Sequence, residues 1–180
     1  MKINLGSGLK KIDGFLNVDH DPSTNPDFLV DLELENLPFE DNSVDTIIAH
    51  HILEHIGDNF FSLMKEIYRV CKDGAIIDIE VPHHRHENFF GDPTHKRFIT
   101  LEILKKFSKK YNDWHLDHYK SIGGFCNTLN VDFEIIEFDY EVDSKYINLV
   151  EQGKYEEINQ IADRFNNVYC NFKAKLAVIK

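Results

Sequence analysis

Lys2-Ile3-Asn4-Leu5-Gly6-Ser7-Gly8 and, a short way on, Phe15-Leu16-Asn17-Val18-Asp19 are the stretch on which the fold turns. Each opens with a short apolar run suited to a strand. The first stops at a pair of glycines and the second at an acid. Glycines let the backbone turn sharply and let a ligand approach closely. In an open α/β sheet, ligands bind just beyond the carboxyl ends of the strands. Gly-Ser-Gly also marks plain turns, and a lone acid is usually a solvated one. Order along the chain, rather than either residue type, makes the pair informative.

Outward from this stretch the apolar period alternates between strand and helix, which implies an α/β fold with a mostly parallel sheet. Phe28-Leu29-Val30-Asp31 reads as a third strand, and Val44 to Ala49 as a buried fourth. Phe60, Leu63, Met64, Ile67 and Val70 recur at helical spacing, predicting a helix over 59–71. Lys72-Asp73-Gly74 predicts a turn into a fifth strand, Ala75 to Val81, ended by Pro82. Thr100 is an N-cap candidate before Leu101, Leu104 and Phe107. Strands are expected over 133–142 and 171–179, with an amphipathic helical stretch at 144–166 broken at Gly153. No repeat, low-complexity tract or linker is visible, so residues 1–180 read as one domain.

The chain has 180 residues, 42% hydrophobic and 28% charged, which excludes collagenous, disordered and disulfide-scaffold classes. Its 31 acidic residues outnumber 20 basic ones, for a net charge of −11. Nucleic-acid backbones need clustered Lys and Arg, and only Lys105-Lys106 and Lys109-Lys110 come close. No nucleic-acid partner is expected. Cys71, Cys126 and Cys170 form neither a CxxC zinc pattern nor an even disulfide set. There is no run of 18 apolar residues and no charged leader, so a cytoplasmic protein without a membrane association is expected. The glycine fingerprint for dinucleotides lacks its third glycine, because Lys11 stands there.

Five segments together resemble the class I S-adenosylmethionine-dependent methyltransferases, in their small-molecule "type 11" branch. They are Asn4-Leu5-Gly6-Ser7-Gly8, Asn17-Val18-Asp19, Leu37-Pro38-Phe39-Glu40-Asp41-Asn42-Ser43-Val44-Asp45, His50-His51-Ile52-Leu53-Glu54-His55 and Glu66-Ile67-Tyr68-Arg69-Val70-Cys71-Lys72-Asp73-Gly74. The resemblance spans about residues 2 to 82 and implies a Rossmann-like seven-stranded sheet, order 3-2-1-4-5-7-6, with the last strand antiparallel. It also implies S-adenosylmethionine as cofactor. On that reading Gly6 and Gly8 pass under its methionine and ribose, Asp19 holds the ribose hydroxyls, and His20 flanks the adenine. Asp31 and Leu32 meet the adenine edge and face, and the backbone of His50 lies near the methionyl group. The family's acid before the glycine loop is Asn4 here, and Lys72-Asp73-Gly74-Ala75 lacks the usual proline and second glycine. Gly6 to Asp19 is only 13 positions and Asp19 to Asp31 only 12. A parallel crossover normally takes a dozen or more residues with a helix. The first two helices must therefore be clipped to a turn or absent.

Ten histidines include a bunch after the fifth strand: Pro82-His83-His84-Arg85-His86, then Gly91-Asp92-Pro93-Thr94-His95. The Asp-Pro-Thr-His segment resembles one in family members associated with glycan and surface-polysaccharide genes. Methyl transfer to a hydroxyl needs a base near the acceptor, a role suited to histidine. His83 or His95 is the expected base, with Asp92 orienting an imidazole. A small hydroxyl or amine acceptor is expected, with sugars and glycan precursors as candidates. Three readings stand beside this one. His83, His84, His86, Asp92 and His95 could instead supply three ligands to a metal. They could be ordinary loop histidines. The chain could also be a non-catalytic member of the fold. Residues 111–128, with Trp114, His115, His118, Tyr119 and Gly123-Gly124, read as a loop over a site or a plain surface connection. The sequence carries no signal for oligomeric state.

Overall fold

A computed structural model describes residues 1–120 and 124–180. Its strands are β1 (Lys2–Leu5), β2 (Leu16–Asp19), β3 (Phe28–Leu29), β4 (Val44–His50), β5 (Cys71–Pro82), β6 (Phe133–Val142) and β7 (Tyr169–Val178). They form one sheet in the order β3-β2-β1-β4-β5-β7-β6. β1 to β5 pair in parallel, while β7 lies antiparallel between β5 and β6. This is the expected topology, with the last strand reversed.

Both early crossovers lack an α-helix. β1 and β2 are joined by turns, and β2 and β3 by a single 3-10 turn at Pro22–Thr24. Side-chain amides take over the job of holding this short chain on the sheet. Asn4 Nδ2 donates to the Lys10 carbonyl and to Asn17 Oδ1, both at 3.0 Å. Asn17 Oδ1 in turn accepts from the Ile12 amide at 3.3 Å, and Asn17 Nδ2 donates to Asp27 Oδ2 at 3.0 Å. Asn4, the departure from the family's acid, is therefore a tie that an acid could not make, since a carboxylate has no N–H to give.

The first long helix, α1 (Phe60–Val70), buries Phe60, Leu63, Met64, Ile67 and Val70 against the sheet. Near its end Arg69 donates to the carbonyls of Leu37 and Phe39 and to the carboxylates of Asp41 and Glu66. That one guanidinium clamps the Leu-Pro-Phe segment to the helix. The expected turn at Lys72–Gly74 is instead part of β5. Val44 faces Cys71 while Thr46 already faces Ile76, so the extra residues bulge out of the ladder. Gly74 permits this with φ +74°.

Beyond β5 come α2 (Glu87–Phe90), α3 (Leu101–Lys105), α4 (Lys109–Tyr119) and α5 (Cys126–Leu129). Thr100 caps α3, its hydroxyl accepting from the Ile103 amide at 3.3 Å. Of the stretch at 111–128 read as a loop, residues 111–119 lie in α4, which Ser108 caps through the Tyr111 amide. Gly123 lies outside the described residues. Between β6 and β7, α6 (Ile147–Glu151) and α7 (Tyr155–Arg164) are separated at Gly153, whose φ is +68°. Among the described residues, no helix is long and apolar enough to cross a membrane.

Candidate active site

The carboxyl ends of the five parallel strands gather the glycine loop, Asp19, Asp31-Leu32, His50 to His55 and the segment from His83 to His95 along one edge. At the glycine loop, Gly6 has φ +60° and Gly8 φ +50°. The two have different jobs. A Cβ on Gly6 would lie 2.6 Å from Ile52, so this glycine admits the Ile52 side chain against the loop. Gly8 has open space around it, with nothing within 4 Å of a built Cβ. Between them Ser7 is buried and its hydroxyl has no hydrogen-bond partner.

Asp19 organises this corner. Its Oδ2 accepts from the Gly8 amide at 2.7 Å, and its Oδ1 from the Asp21 amide at 2.9 Å. Each oxygen keeps a lone pair for a further donor. His20 is exposed beside it, Nδ1 3.6 Å from Asp19 Oδ1. Asp31 follows β3 and caps the next turn through the Glu33 amide at 2.9 Å, with Leu32 buried below it. His50 ends β4 and its ring meets Asp78 on β5 at 3.0 Å, so its side chain is engaged across the sheet. An orphaned buried hydroxyl, an open glycine and a carboxylate with spare acceptor capacity suit a polar cofactor with hydroxyl groups. The set fits S-adenosylmethionine. No helix N-terminus stands at this corner, because the first crossover has none.

A second cluster gathers at the ends of β4 and β5. His51 follows β4 with φ +54°, an uncommon backbone state for a residue with a side chain. Its ring lies 3.6 Å from Glu54 Oε1 and 3.4 Å from Glu80 Oε1, and Glu54 above all holds its pKa above the ordinary value. The 3-10 turn Leu53–His55 is tied to the distant Asp-Pro-Thr-His segment by main chain: the Lys96 and Arg97 amides donate to the Glu54 carbonyl at 2.8 and 3.1 Å. That tie brings His95 beside Glu54 and His55. Asp92 is near His95 (Oδ2 to Nε2 3.8 Å), but its Oδ1 is taken by the Thr94 amide and hydroxyl, which pull its pKa down.

The remaining histidines disperse. The His83 ring packs against His84, Tyr140 and Tyr169. Its Nδ1 accepts from the Arg85 amide at 3.3 Å, and burial lowers its pKa to about 4. His86 bonds Asp143 at 3.0 Å while its Nδ1 accepts from the Asn88 amide. The five-residue metal set read from the sequence is therefore not gathered at one point: Asp92 meets His95, the His83 ring packs on His84, and His86 turns to Asp143. Glu54, His51 and Glu80, none of them among the sequence candidates, stand together here. The signal was present in His50-His51-Ile52-Leu53-Glu54-His55, but only the fold shows that Glu54 turns inward.

A buried neutral His83 ties stability to pH. With a folded pKa near 4 against 6.5 unfolded, the unfolded chain binds the extra proton between those values, so stability is intact above pH 6.5 and falls below it. By pH 5 this group alone is expected to remove about 2 kcal/mol. Urea unfolding at pH 7 and pH 5 checks it: His83→Phe, which keeps the aromatic packing, should lose clearly less stability on acidification than the parent chain.

A protein-family profile described as a methyltransferase domain matches residues 14–79, from just after the glycine loop into β5. Among curated protein sequences nothing matches. Solved structures do. A SAM-dependent methyltransferase from Archaeoglobus fulgidus aligns with 98% of this chain and 85% of its own, at 18% identity and TM-score 0.61. One from Mesorhizobium loti aligns over 98% and 90%, at 12% identity and TM-score 0.55. A Haemonchus contortus phosphoethanolamine N-methyltransferase 2, complexed with phosphomonomethylethanolamine and S-adenosylhomocysteine, aligns over 99% of this chain and 48% of its own, at 16% identity and TM-score 0.56. These likenesses concern the fold. Residues 14–79 thus match a methyltransferase-domain profile, and the sheet ordered 3-2-1-4-5-7-6 has the fold of solved SAM-dependent methyltransferases.

Proposed function

We propose that the chain methylates a small hydroxyl or amine acceptor, with sugars and glycan precursors as the leading class for the hydroxyl case. The observation that carries this reading is the corner where Asp19, the open Gly8 and the unpartnered Ser7 hydroxyl meet at the ends of β1 and β2. When bound there, S-adenosylmethionine supplies a methyl group on a sulfonium, open to in-line attack by a nucleophile. Gly6, Gly8, Asp19, His20, Asp31, Leu32 and the backbone of His50 are the proposed cofactor contacts. The methionine side of this shelf is closed by Ile52 resting on Gly6.

The acceptor is placed at the edge of β4 and β5, and its proton leaves toward the rim formed by Asp92 and His95. His95 Nδ1 donates to the Phe89 carbonyl at 2.8 Å, because a carbonyl can only accept. Its Nε2 therefore carries the lone pair, facing Asp92 at 3.8 Å and Glu54 at 4.0 Å. His83, in its aromatic packing and with Nδ1 taken by the Arg85 amide, has the weaker claim to the base role. The partner in this reading is a small molecule, and the negative charge of the chain weighs against tRNA or rRNA. The amine acceptor named for the Haemonchus structure supports keeping amines alongside hydroxyls.

Calorimetric titration with S-adenosylhomocysteine tests the cofactor half, with a Kd of micromolar order expected. No heat at about 300 μM would overturn it, since that corresponds to less than about 5 kcal/mol of binding. Transfer of labelled methyl to a panel of sugars, nucleotide sugars and small amines tests the acceptor half.

A further inference from the structure

Glu54 is 1% exposed, yet neither oxygen of its carboxylate has a hydrogen-bond partner. A buried carboxylate left bare costs several kcal/mol unless a cation or a proton meets it. His51 Nδ1 lies 3.6 Å from its Oε1, beyond hydrogen-bond reach, and two further imidazoles stand close by. One donor atom each from Glu54, His55 and His95 lies within 4.8 Å of the others. His95 Nε2 faces Glu54 Oε1 at 4.0 Å, too far for a hydrogen bond, and its tautomer is fixed by Phe89 so that it offers a lone pair.

His55 is prepared in the same way. The single hydroxyl proton of Thr94 goes to Asp92 Oδ1 at 2.6 Å, so the 2.9 Å contact between Thr94 Oγ1 and His55 Nδ1 must be donated by His55. Its Nε2 is then bare as well. Both imidazoles thus give their second N–H to an oxygen outside the cluster, the arrangement that orients metal-binding histidines. Around an ion bound at about 2.1 Å in tetrahedral geometry, donors stand about 3.4 Å apart. The 4.0 Å between His95 and Glu54 closes to that with a small side-chain shift.

We propose that Glu54, His55 and His95 bind a divalent first-row transition ion, with Asp92 at the solvent-facing mouth. Two imidazoles and a carboxylate select Zn²⁺ or a neighbouring ion over Mg²⁺ or Ca²⁺, which prefer all-oxygen shells. The proposal does not rest on the methyltransferase reading, because the ion is bound by residues outside the cofactor corner, and an ion on His95 Nε2 takes the place of the proton-acceptor role given to that atom above.

The test is a zinc titration of untagged protein stripped with a chelator, followed by competition against a chromophoric chelator. One equivalent should bind with a Kd at or below about 1 μM, a typical strength for a built site being well above that of surface histidines. Co²⁺ in place of Zn²⁺ should give the visible absorption of a four- or five-coordinate ion. His95→Ala and His55→Ala should each weaken binding at least about 10-fold, while His118→Ala leaves it unchanged. His55 lies at the surface side of the cluster, so its variant keeps the fold even if Glu54→Gln does not, as far-UV circular dichroism will show. Less than about a tenth of an equivalent bound at 100 μM zinc, or full binding retained by both histidine variants, overturns the proposal. The first outcome would leave His95 as a plain proton acceptor. Titration with S-adenosylhomocysteine needs no metal, so failure of one reading is distinguishable from failure of the other.

Discussion

Gly6→Ala is expected to destabilise the chain by about 4 kcal/mol, measured by urea unfolding at pH 7. Two effects add. A left-handed backbone at φ +60° costs an alanine about 1–2 kcal/mol. The new methyl would also lie within 2.7 Å of three Ile52 atoms, its Cβ among them, so rotation of the far end of that side chain does not relieve the clash. Ile52→Ala in the same chain removes the contacts to Cγ1 and Cδ1 but keeps the one to Cβ, so it relieves the clash in part and leaves the backbone cost. The double variant should therefore lose less than the sum of the two single changes. If Gly6→Ala costs less than about 1 kcal/mol, Ile52 does not rest on the loop as described.

Asp19→Ala should lower affinity for S-adenosylhomocysteine at least about 100-fold by calorimetry, which is about 3 kcal/mol. Hydrogen bonds to a charged group are worth about 1.5–3 kcal/mol each, and this carboxylate also aims the Gly8 and Asp21 amides. Asp19→Asn keeps one acceptor oxygen and should fall between. Unfolding midpoints separate loss of contact from loss of fold: Asp19→Asn is expected to stay close to the parent chain in stability while binding more weakly. An Asp19→Ala variant that folds and binds as tightly as the parent removes this residue from the site.

Strand order was legible because it depends on local pattern, and the same pattern set the residues proposed for the cofactor corner. Leu5-Gly6 and Val18-Asp19 end their strands within the short stretches that name them, and parallel order then fixes which ends align. The missing early helices were legible too, from the counts between Gly6, Asp19 and Asp31 alone. What replaces them was not. The amide tie from Asn4 to Asn17 joins residues whose side chains have no periodic signature.

The acceptor side resisted reading for a different reason. His83, His84, His86 and His95 are close in sequence, but alternation along the end of β5 and a tight turn send them to different neighbours. His86 goes to Asp143 and His83 to Tyr140 and Tyr169, partners more than fifty positions away. Glu54 carries no signal of its own within His50–His55, and only the main-chain tie from Lys96 and Arg97 shows that it closes on His95. The Lys72–Gly74 turn was misread because glycine at positive φ serves a bulge as well as a turn.

The placement of β7 bears on how the molecule assembles over time. It fills the gap between β5 and β6, pairing Ile76 to Pro82 on one side and Phe133 to Val142 on the other. Until it arrives, β6 has no ladder partner and β5 presents a long unpaired edge. The parallel half, held by short crossovers, can form early because its loops close at low entropic cost. The other half must wait for a strand separated from β6 by α6 and α7, then close in a single late step. During that interval the open β5 edge is the surface most exposed to pairing with another chain, so crowding during refolding should reduce yield more than it alters the stability of the finished molecule.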